Sequence, residues 1–209
     1  MKSVKSLKYA GIGLAGASAL ICLSLAPAAA AAQAEPAAGR IEAFDSALIE
    51  TMKAGPGLGA KGRYHKLTPV VEQAFDLPTM TRFAVGPSWA GMAETDRQAL
   101  INGFSRLSAA NYAHNFDRFD GEKFIVDPKV DTRGVDKVVQ TRLIPGHGAP
   151  VTLTYRMRQS GGTWKIIDVY YGQISQLTTR RSDFAAPLAS GGAKGLIAHL
   201  DALTEKLLK

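Results

Sequence analysis

The sequence has few of the residues that most often carry catalysis or bind metals. It contains one cysteine, Cys22, and four histidines among 209 residues. No two histidines are four positions apart, and neither an H-E-x-x-H motif nor a G-x-S-x-G nucleophile elbow occurs. These absences remove the common signatures of zinc metalloproteases and serine hydrolases. A chain that has lost Cys22 has no disulfide, no thiol nucleophile and no thiolate ligand.

The N-terminal 34 residues have the pattern of a cleaved secretory signal peptide. Lys2, Lys5 and Lys8 precede an apolar run from Tyr9 to Leu25, and small residues follow up to Ala34. A basic segment, an apolar segment and an A-x-A-like site together direct export and cleavage. We therefore predict that residues 35–209 form one domain outside the cytoplasm. The alternative is an uncleaved anchor, because the apolar run is about as long as a spanning helix requires.

The charge of the predicted mature chain is only mildly basic. The whole sequence has a net charge of +7, and the leader contributes three lysines and no acid, which leaves +4. A nucleic-acid-binding domain normally shows a concentrated basic patch with aromatic residues between the charges, and none is evident. The charge suits either an approach to anionic lipid surfaces or an ordinary solvated surface.

Apolar periodicity predicts helices first, then strands, then helices. Period-3.6 patterns indicate helices at 40–53, 63–74, from Asp76, 95–119 and, after residue 175, on both sides of Gly191-Gly192. Thr95 and Gln98 are spaced as a capping box. The predicted strands are residues 123–126, 137–144, 150–158 and 164–171, with short turns between them. This order predicts an α+β fold with helices on one face of a curved four-stranded antiparallel sheet.

The third predicted strand alternates strictly between apolar and polar residues. Its apolar face carries Val151, Leu153, Tyr155 and Met157. A curved sheet covered by helices forms a cone that encloses an apolar cavity. An exported protein with such a cavity and no catalytic signature is typical of a carrier for a hydrophobic ligand.

Two local patterns allow other interpretations. Residues 57–62 match G-x-G-x-x-G, but they follow a helix without a βαβ unit, so they predict a flexible connection. Asp168 lies mid-strand near Tyr170 and Tyr171, where a carboxyl in an apolar cavity can act as a general base. The simpler interpretation pairs Asp168 with Lys165, Arg156 or Arg158 to fix the strand register.

Several segments resemble the MlaC-like periplasmic phospholipid-binding proteins, also called the toluene-tolerance family. The resemblance runs over residues 38–205. Its clearest segments are Phe75-Asp76-Leu77-Pro78-Thr79-Met80, then Gly86 and Trp89, Trp164-Lys165-Ile166-Ile167-Asp168-Val169, Gly172-Gln173-Ile174-Ser175, and the glycines at 191, 192 and 195. Residues 115–117, 121–124, 140–148 and 181–184 are most similar to the hopanoid-associated HpnM branch.

The resemblance implies an NTF2-like fold and a periplasmic lipid carrier without cofactor or catalytic residues. It implies a phospholipid or hopanoid ligand that is shuttled between the inner and outer membrane. The implied partner is an inner-membrane lipid transporter, with an outer-membrane complex as a second candidate. We predict a lipid-binding surface that combines the apolar strand face with two helical segments. Its residues are Leu77, Met80, Phe83, Phe104, Leu107, Val151, Leu153, Tyr155 and Met157.

Two rival functions remain at this point. One is an NTF2-like isomerase or hydratase that uses Asp168 and a tyrosine. The other is a ligand-free adaptor that contacts a membrane transporter through Arg180, Arg181 and Lys194.

Overall fold

A computed structural model describes residues 35–209, so the predicted signal peptide lies outside the described residues. The described chain folds as helices, then strands, then a helix. The helices are α1 (Pro36–Ala74), α2 (Leu77–Val85), a 3-10 helix (Gly86–Gly91), α3 (Glu94–Asn115) and α4 (Gln176–Leu207). The strands are β1 (Lys123–Val126), β2 (Asp131–Arg133), β3 (Asp136–Ile144), β4 (Val151–Ser160), β5 (Thr163–Tyr171) and β6 (Ile174–Ser175). Within this part of the chain, no helix has the length and apolarity needed to cross a bilayer.

Helix α1 covers both helices predicted from residues 40 to 74. The two halves meet at a kink at Gly59, which has φ 62° and ψ 177°. Glycine adopts positive φ without the steric cost that a Cβ brings, so the chain bends there. The break therefore falls two residues beyond the predicted Gly55–Gly57 stop. Pro69 lies inside the second half and does not end it.

The next helices begin and end at local signals. The Asp76 side chain accepts a hydrogen bond from the Thr79 backbone N–H at 3.1 Å and so caps α2, which ends at Gly86 with φ 72°. The predicted capping box at the start of α3 is wrong, because Ala93 occupies the N-cap and makes no side-chain bond. Helix α3 also ends at Asn115, before the predicted limit at Phe119.

The sheet is antiparallel and has the order β1-β3-β4-β5-β6, with β2 paired to the other half of β3. The predicted strands correspond to β1, β3, β4 and β5. The prediction of a four-stranded sheet is nevertheless wrong, because the sheet has six strands. The missed strands, β2 and β6, have three and two residues. Such short segments show no measurable alternation, and only their pairing with neighbours makes them strands.

Three helices, α1, α2 and α4, contact the sheet, and α3 packs against the other helices. The junction between α1 and α2 is hydrogen-bonded to β5, where the Asp76 N–H donates to the Ile166 carbonyl at 2.9 Å. The main apolar core fills the space between helices and sheet. Its largest fully buried side chains include Tyr155, Phe44 and Phe184. An apolar sheet face and apolar helix stripes thus bury one another, as the order of elements predicts.

Candidate functional site

The predicted lipid-binding residues divide into a buried group and a more exposed group. Leu77, Met80, Phe104, Leu107, Tyr155 and Met157 are buried in the core. Val151 and Leu153, at the start of β4, are half-buried. Phe83 lies at the surface, where the residue is 39% exposed. The structure therefore brings most of the predicted set into one packed interior and leaves Phe83 outside it.

The apolar face of β4 faces the helices. Tyr155 and Met157 are buried, whereas Arg156 between them is exposed. The cross-strand partners of Tyr155 are Val139 on β3 and Val169 on β5. Because paired residues share a face in an antiparallel sheet, these side chains form a continuous inner surface. The same register places Thr141, Leu143, Phe124 and Val126 on this surface, at its β1 edge.

A groove of about 410 Å³ lies between α1 and β1. This volume is within the usual range of ligand pockets. From β1 the groove receives Phe124 and Val126, while Ile125 between them is 42% exposed on the opposite face. The lining residues on α1 are Glu42, Asp45, Ser46, Ile49, Glu50 and Lys53. None of the predicted lipid-binding residues lines this groove, which lies at the edge of the core.

Asp45 forms the buried floor of the groove. Only 3% of the residue is exposed, and neither carboxylate oxygen has a hydrogen-bond partner among the described residues. Burial raises the pKa of Asp45 from 3.8 to about 8. The nearby Tyr155 hydroxyl lowers this pKa in part, without reaching normal hydrogen-bond geometry, and Glu42 raises it further. Asp45 is therefore a mostly neutral acid at pH 7.

Two tyrosines adjoin this carboxyl. Tyr155 is 1% exposed, and burial raises its pKa well above the ordinary value, with Asp45 adding to the effect. Tyr112 is half-buried and lies near the same carboxyl. Burial and the nearby Asp45 therefore raise the Tyr112 pKa as well. Both hydroxyls stay protonated at physiological pH and are available as hydrogen-bond donors.

A row of aromatic rings connects the core with the groove. Phe44 meets Phe75 edge-on, with ring centroids 5.3 Å apart, and meets Tyr112 at 5.1 Å. Tyr112 stacks on Phe116 at 5.9 Å, and Phe116 lies 6.1 Å from Phe124 in the groove wall. Such pairs bury large apolar areas and prefer these offset or edge-on geometries. The groove is thus continuous with an aromatic interior.

Sequence reasoning missed Asp45, although a signal was present. Ile41, Asp45, Leu48 and Met52 are spaced by four, three and four residues, so they share one helical stripe. The other members of that stripe are buried. An acid on a buried stripe requires a partner or a changed pKa.

Comparison with known proteins gives the family. The sequence model of one family, described as MlaC protein, matches residues 42–202, which include the groove and most of the core. The chain belongs to the MlaC family. A solved structure, described as a phospholipid-binding protein from Ralstonia solanacearum in complex with a phospholipid, has the same fold with a TM-score of 0.71. The two sequences are 23% identical, and the match covers 84% of this chain and 100% of the other.

In this MlaC family member, Asp168 is a structural acid. Its carboxylate accepts hydrogen bonds from the Ser175 hydroxyl at 2.7 Å and from the Leu177 backbone N–H at 3.1 Å. It thereby joins β5 to the first turn of α4. Its cross-strand partner is the exposed Arg156, so Asp168 lies on the sheet face opposite Tyr155. The prediction that Asp168 pairs with Lys165, Arg156 or Arg158 is wrong, because Asp136 binds both arginines and Lys165 donates to the Glu72 carbonyl. Asp168 lines neither described cavity.

The three basic residues of the adaptor hypothesis all lie on α4 and have different surroundings. Arg180 lies 3.3 Å from Asp183, its ion-pair partner. Arg181 lines a second cavity of about 310 Å³ between the 3-10 helix and α4, together with Pro87 and Leu188. Lys194 is exposed beyond the kink in α4 at Gly192.

Proposed function

We propose that this MlaC family protein is a carrier that holds a membrane lipid, a phospholipid or a hopanoid. The apolar part of the lipid would lie between the helices and the inner face of the sheet. Family membership and the fold shared with a protein solved with bound phospholipid support this function. The observation that carries it is the groove beside Phe124 and Val126, which borders the apolar inner surface of the sheet.

The lipid chain would enter through the groove and displace side chains of the aromatic row. Strand β1 has four residues and pairs with β3 at the sheet edge, so moving it breaks few hydrogen bonds. The inner contacts would be the predicted residues of β4, Val151, Leu153, Tyr155 and Met157, and those of α2 and α3, Leu77, Met80, Phe104 and Leu107. Burying one sixteen-carbon chain contributes on the order of 10 kcal/mol before ordering costs. Such capture is stable, so release requires an acceptor that opens the groove or competes for the lipid.

The wider role that we propose is transport across the periplasm. The N-terminal segment would direct export and be removed, and the carrier would move lipid between the inner and outer membrane. An inner-membrane lipid transporter would be its partner, together with an outer-membrane complex. The segments similar to the HpnM branch favour a hopanoid as cargo, and the solved neighbour favours a phospholipid.

Native mass spectrometry of protein from the periplasm of its own cells tests the carrier function. We expect one bound lipid per protein, and organic extraction would identify its class. Val126→Glu places a charge in the groove and should abolish this mass shift. Ile125→Glu places the same charge on the exposed face of the same strand and should leave it intact. A protein that is empty and takes up no lipid from vesicles would refute the proposal, and equal loss in both variants would refute the location.

A further inference from the structure

Two buried polar side chains without a hydrogen-bond partner among the described residues lie in or next to the α1–β1 groove. One is the Asp45 carboxyl, which lines the groove and is 3% exposed. The other is the Thr141 hydroxyl on β3, which is 1% exposed and also has no hydrogen bond among the described residues. Leaving such groups unsatisfied is costly, and most buried polar groups in proteins are bonded. Two exceptions beside one cavity indicate a shared cause.

The sheet register places Thr141 beside the groove. Its cross-strand partner on β1 is Val126, a groove residue, and its partner on β4 is Leu153. Tyr155, which adjoins Asp45, is two residues along β4 from Leu153. Asp45 on α1 thus lines the groove, and Thr141 on β3 lies next to the groove residue Val126 on the same face of the sheet.

Unlike Thr141, the buried threonines on helices have hydrogen bonds within their own helix. Thr51 on α1 is fully buried, and its hydroxyl donates to the Ala47 carbonyl at 2.8 Å. Thr81 and Thr204 donate in the same way to carbonyls four residues earlier. A strand side chain projects away from the carbonyls of its own strand, and the Thr141 hydroxyl has no acceptor among the described residues. Its partner must come from outside its own element.

The charges around the groove restrict the chemistry of that partner. Glu42, Glu50 and Lys53 are exposed at the rim, whereas the floor contains no basic side chain. An anionic group at the floor would lie beside the buried Asp45 without a basic partner, at high cost. A neutral carboxylic acid and a threonine hydroxyl each donate one hydrogen bond and accept others. These groups complement an uncharged oxygen.

We propose that Asp45 and Thr141 form a polar subsite that hydrogen-bonds an uncharged oxygen group of the lipid, either a hydroxyl or an ester carbonyl. The inference rests on the proposed carrier function and specifies how the carrier selects its cargo. The ester linkages of a diacyl phospholipid supply such carbonyls, and a polycyclic lipid alcohol supplies such a hydroxyl. A lipid without either group would enter the groove and leave both side chains unsatisfied.

Two matched lipid pairs test the subsite. The first is a diacyl phosphatidylcholine with its dialkyl-ether analogue, which lacks the carbonyls. The second is a pentacyclic triterpene alcohol with the corresponding hydrocarbon. Competition for the lipid-free protein, read by native mass spectrometry, gives the preference within each pair. We expect a preference of about threefold to tenfold for each hydrogen bond made, in at least one pair. The pair that shows it identifies the source of the oxygen.

The variants assign that preference to the floor. Asp45→Leu and Thr141→Val should each reduce it toward equal binding, while Asp45→Asn, which still donates and accepts, should retain it. Thr51→Val is the control, since its hydroxyl bonds within α1, and should not change the preference. If Asp45→Leu does not fold, Thr141→Val and Asp45→Asn still decide the question.

The outcomes separate the subsite from the carrier function. Binding of the lipids with no preference in either pair, or a preference unchanged in Thr141→Val, overturns the subsite and leaves the carrier function standing. Failure to bind any of these lipids overturns both.

Discussion

Replacing Asp45 with asparagine should stabilise the lipid-free protein at neutral pH. In the unfolded chain, this carboxyl has its ordinary pKa of 3.8 and is ionised at pH 7, whereas burial raises the pKa in the folded protein to about 8. Folding at pH 7 therefore includes uptake of a proton. At about 1.4 kcal/mol per pKa unit, this uptake costs about 4 kcal/mol. Asparagine has a similar size and carries no charge, so the variant avoids that cost.

The sign of the pH dependence follows from proton binding. Between about pH 4 and pH 8, the folded state binds the Asp45 proton more strongly than the unfolded state does, so stability falls as pH rises. Below pH 4 both states are protonated and the cost disappears. Tyr112 and Tyr155 face the carboxyl from α3 and β4 and stay protonated throughout this window. The exposed Glu42 lies on the same helix as Asp45.

Urea unfolding at intervals from pH 4 to pH 8 measures the effect. The free energy of unfolding of the wild type, relative to that of Asp45→Asn, should fall steadily with pH, and the two should converge near pH 4. Glu50→Gln, at an exposed position on the same helix, is the matched control and should follow the wild type. Parallel curves for the wild type and Asp45→Asn, or a variant less stable at pH 7, would refute a neutral buried acid.

Three further substitutions test the structure. Asp136 is 1% exposed and binds Arg158 at 2.6 Å, which lowers the pKa of Asp136. Asp136→Asn should therefore lower the free energy of unfolding in urea by about 2 kcal/mol at pH 7, and by nothing once the pH falls below that lowered pKa. Gly59→Ala should cost about 1 kcal/mol because of its positive φ, whereas Gly57→Ala, a position with open space and no positive φ, should be neutral or slightly stabilising in the same assay. Asp168→Ala removes the bonds to Ser175 and to α4 and should lower the melting temperature by several degrees; loss of lipid binding without loss of stability would instead support a functional acid.

Local signals predicted the elements because their causes are local. Strict alternation located β4, Asp76 before Leu77-Pro78 located the start of α2, and Gly86 its end. The false capping box at Thr95 shows the limit of this approach. A matching sequence does not make a cap unless the helix begins directly after that residue, and the N-cap of α3 is Ala93, two residues before Thr95.

The site was less predictable than the elements. The apolar face of β4 could be read from alternation, and it does face the interior. The groove was not predictable. Its two sides, α1 and β1, have α2, the 3-10 helix and α3 between them in the sequence, and they meet only in the folded protein. Phe83 shows the converse, since an apolar residue on a short amphipathic helix is exposed when no neighbour covers its side.

The sequence alone determined the α+β order, the alternating inner strand and the resemblance that the family match confirmed, because each depends on residues close together or on ordered motifs. Only the tertiary structure decided that Asp45 is a buried acid with a raised pKa. The helix pattern places this carboxyl on a buried stripe, but only β1, β4 and α3 packing over it exclude water and raise its pKa. The burial of a group depends on every element that surrounds it, so it cannot be predicted from any single segment of the sequence.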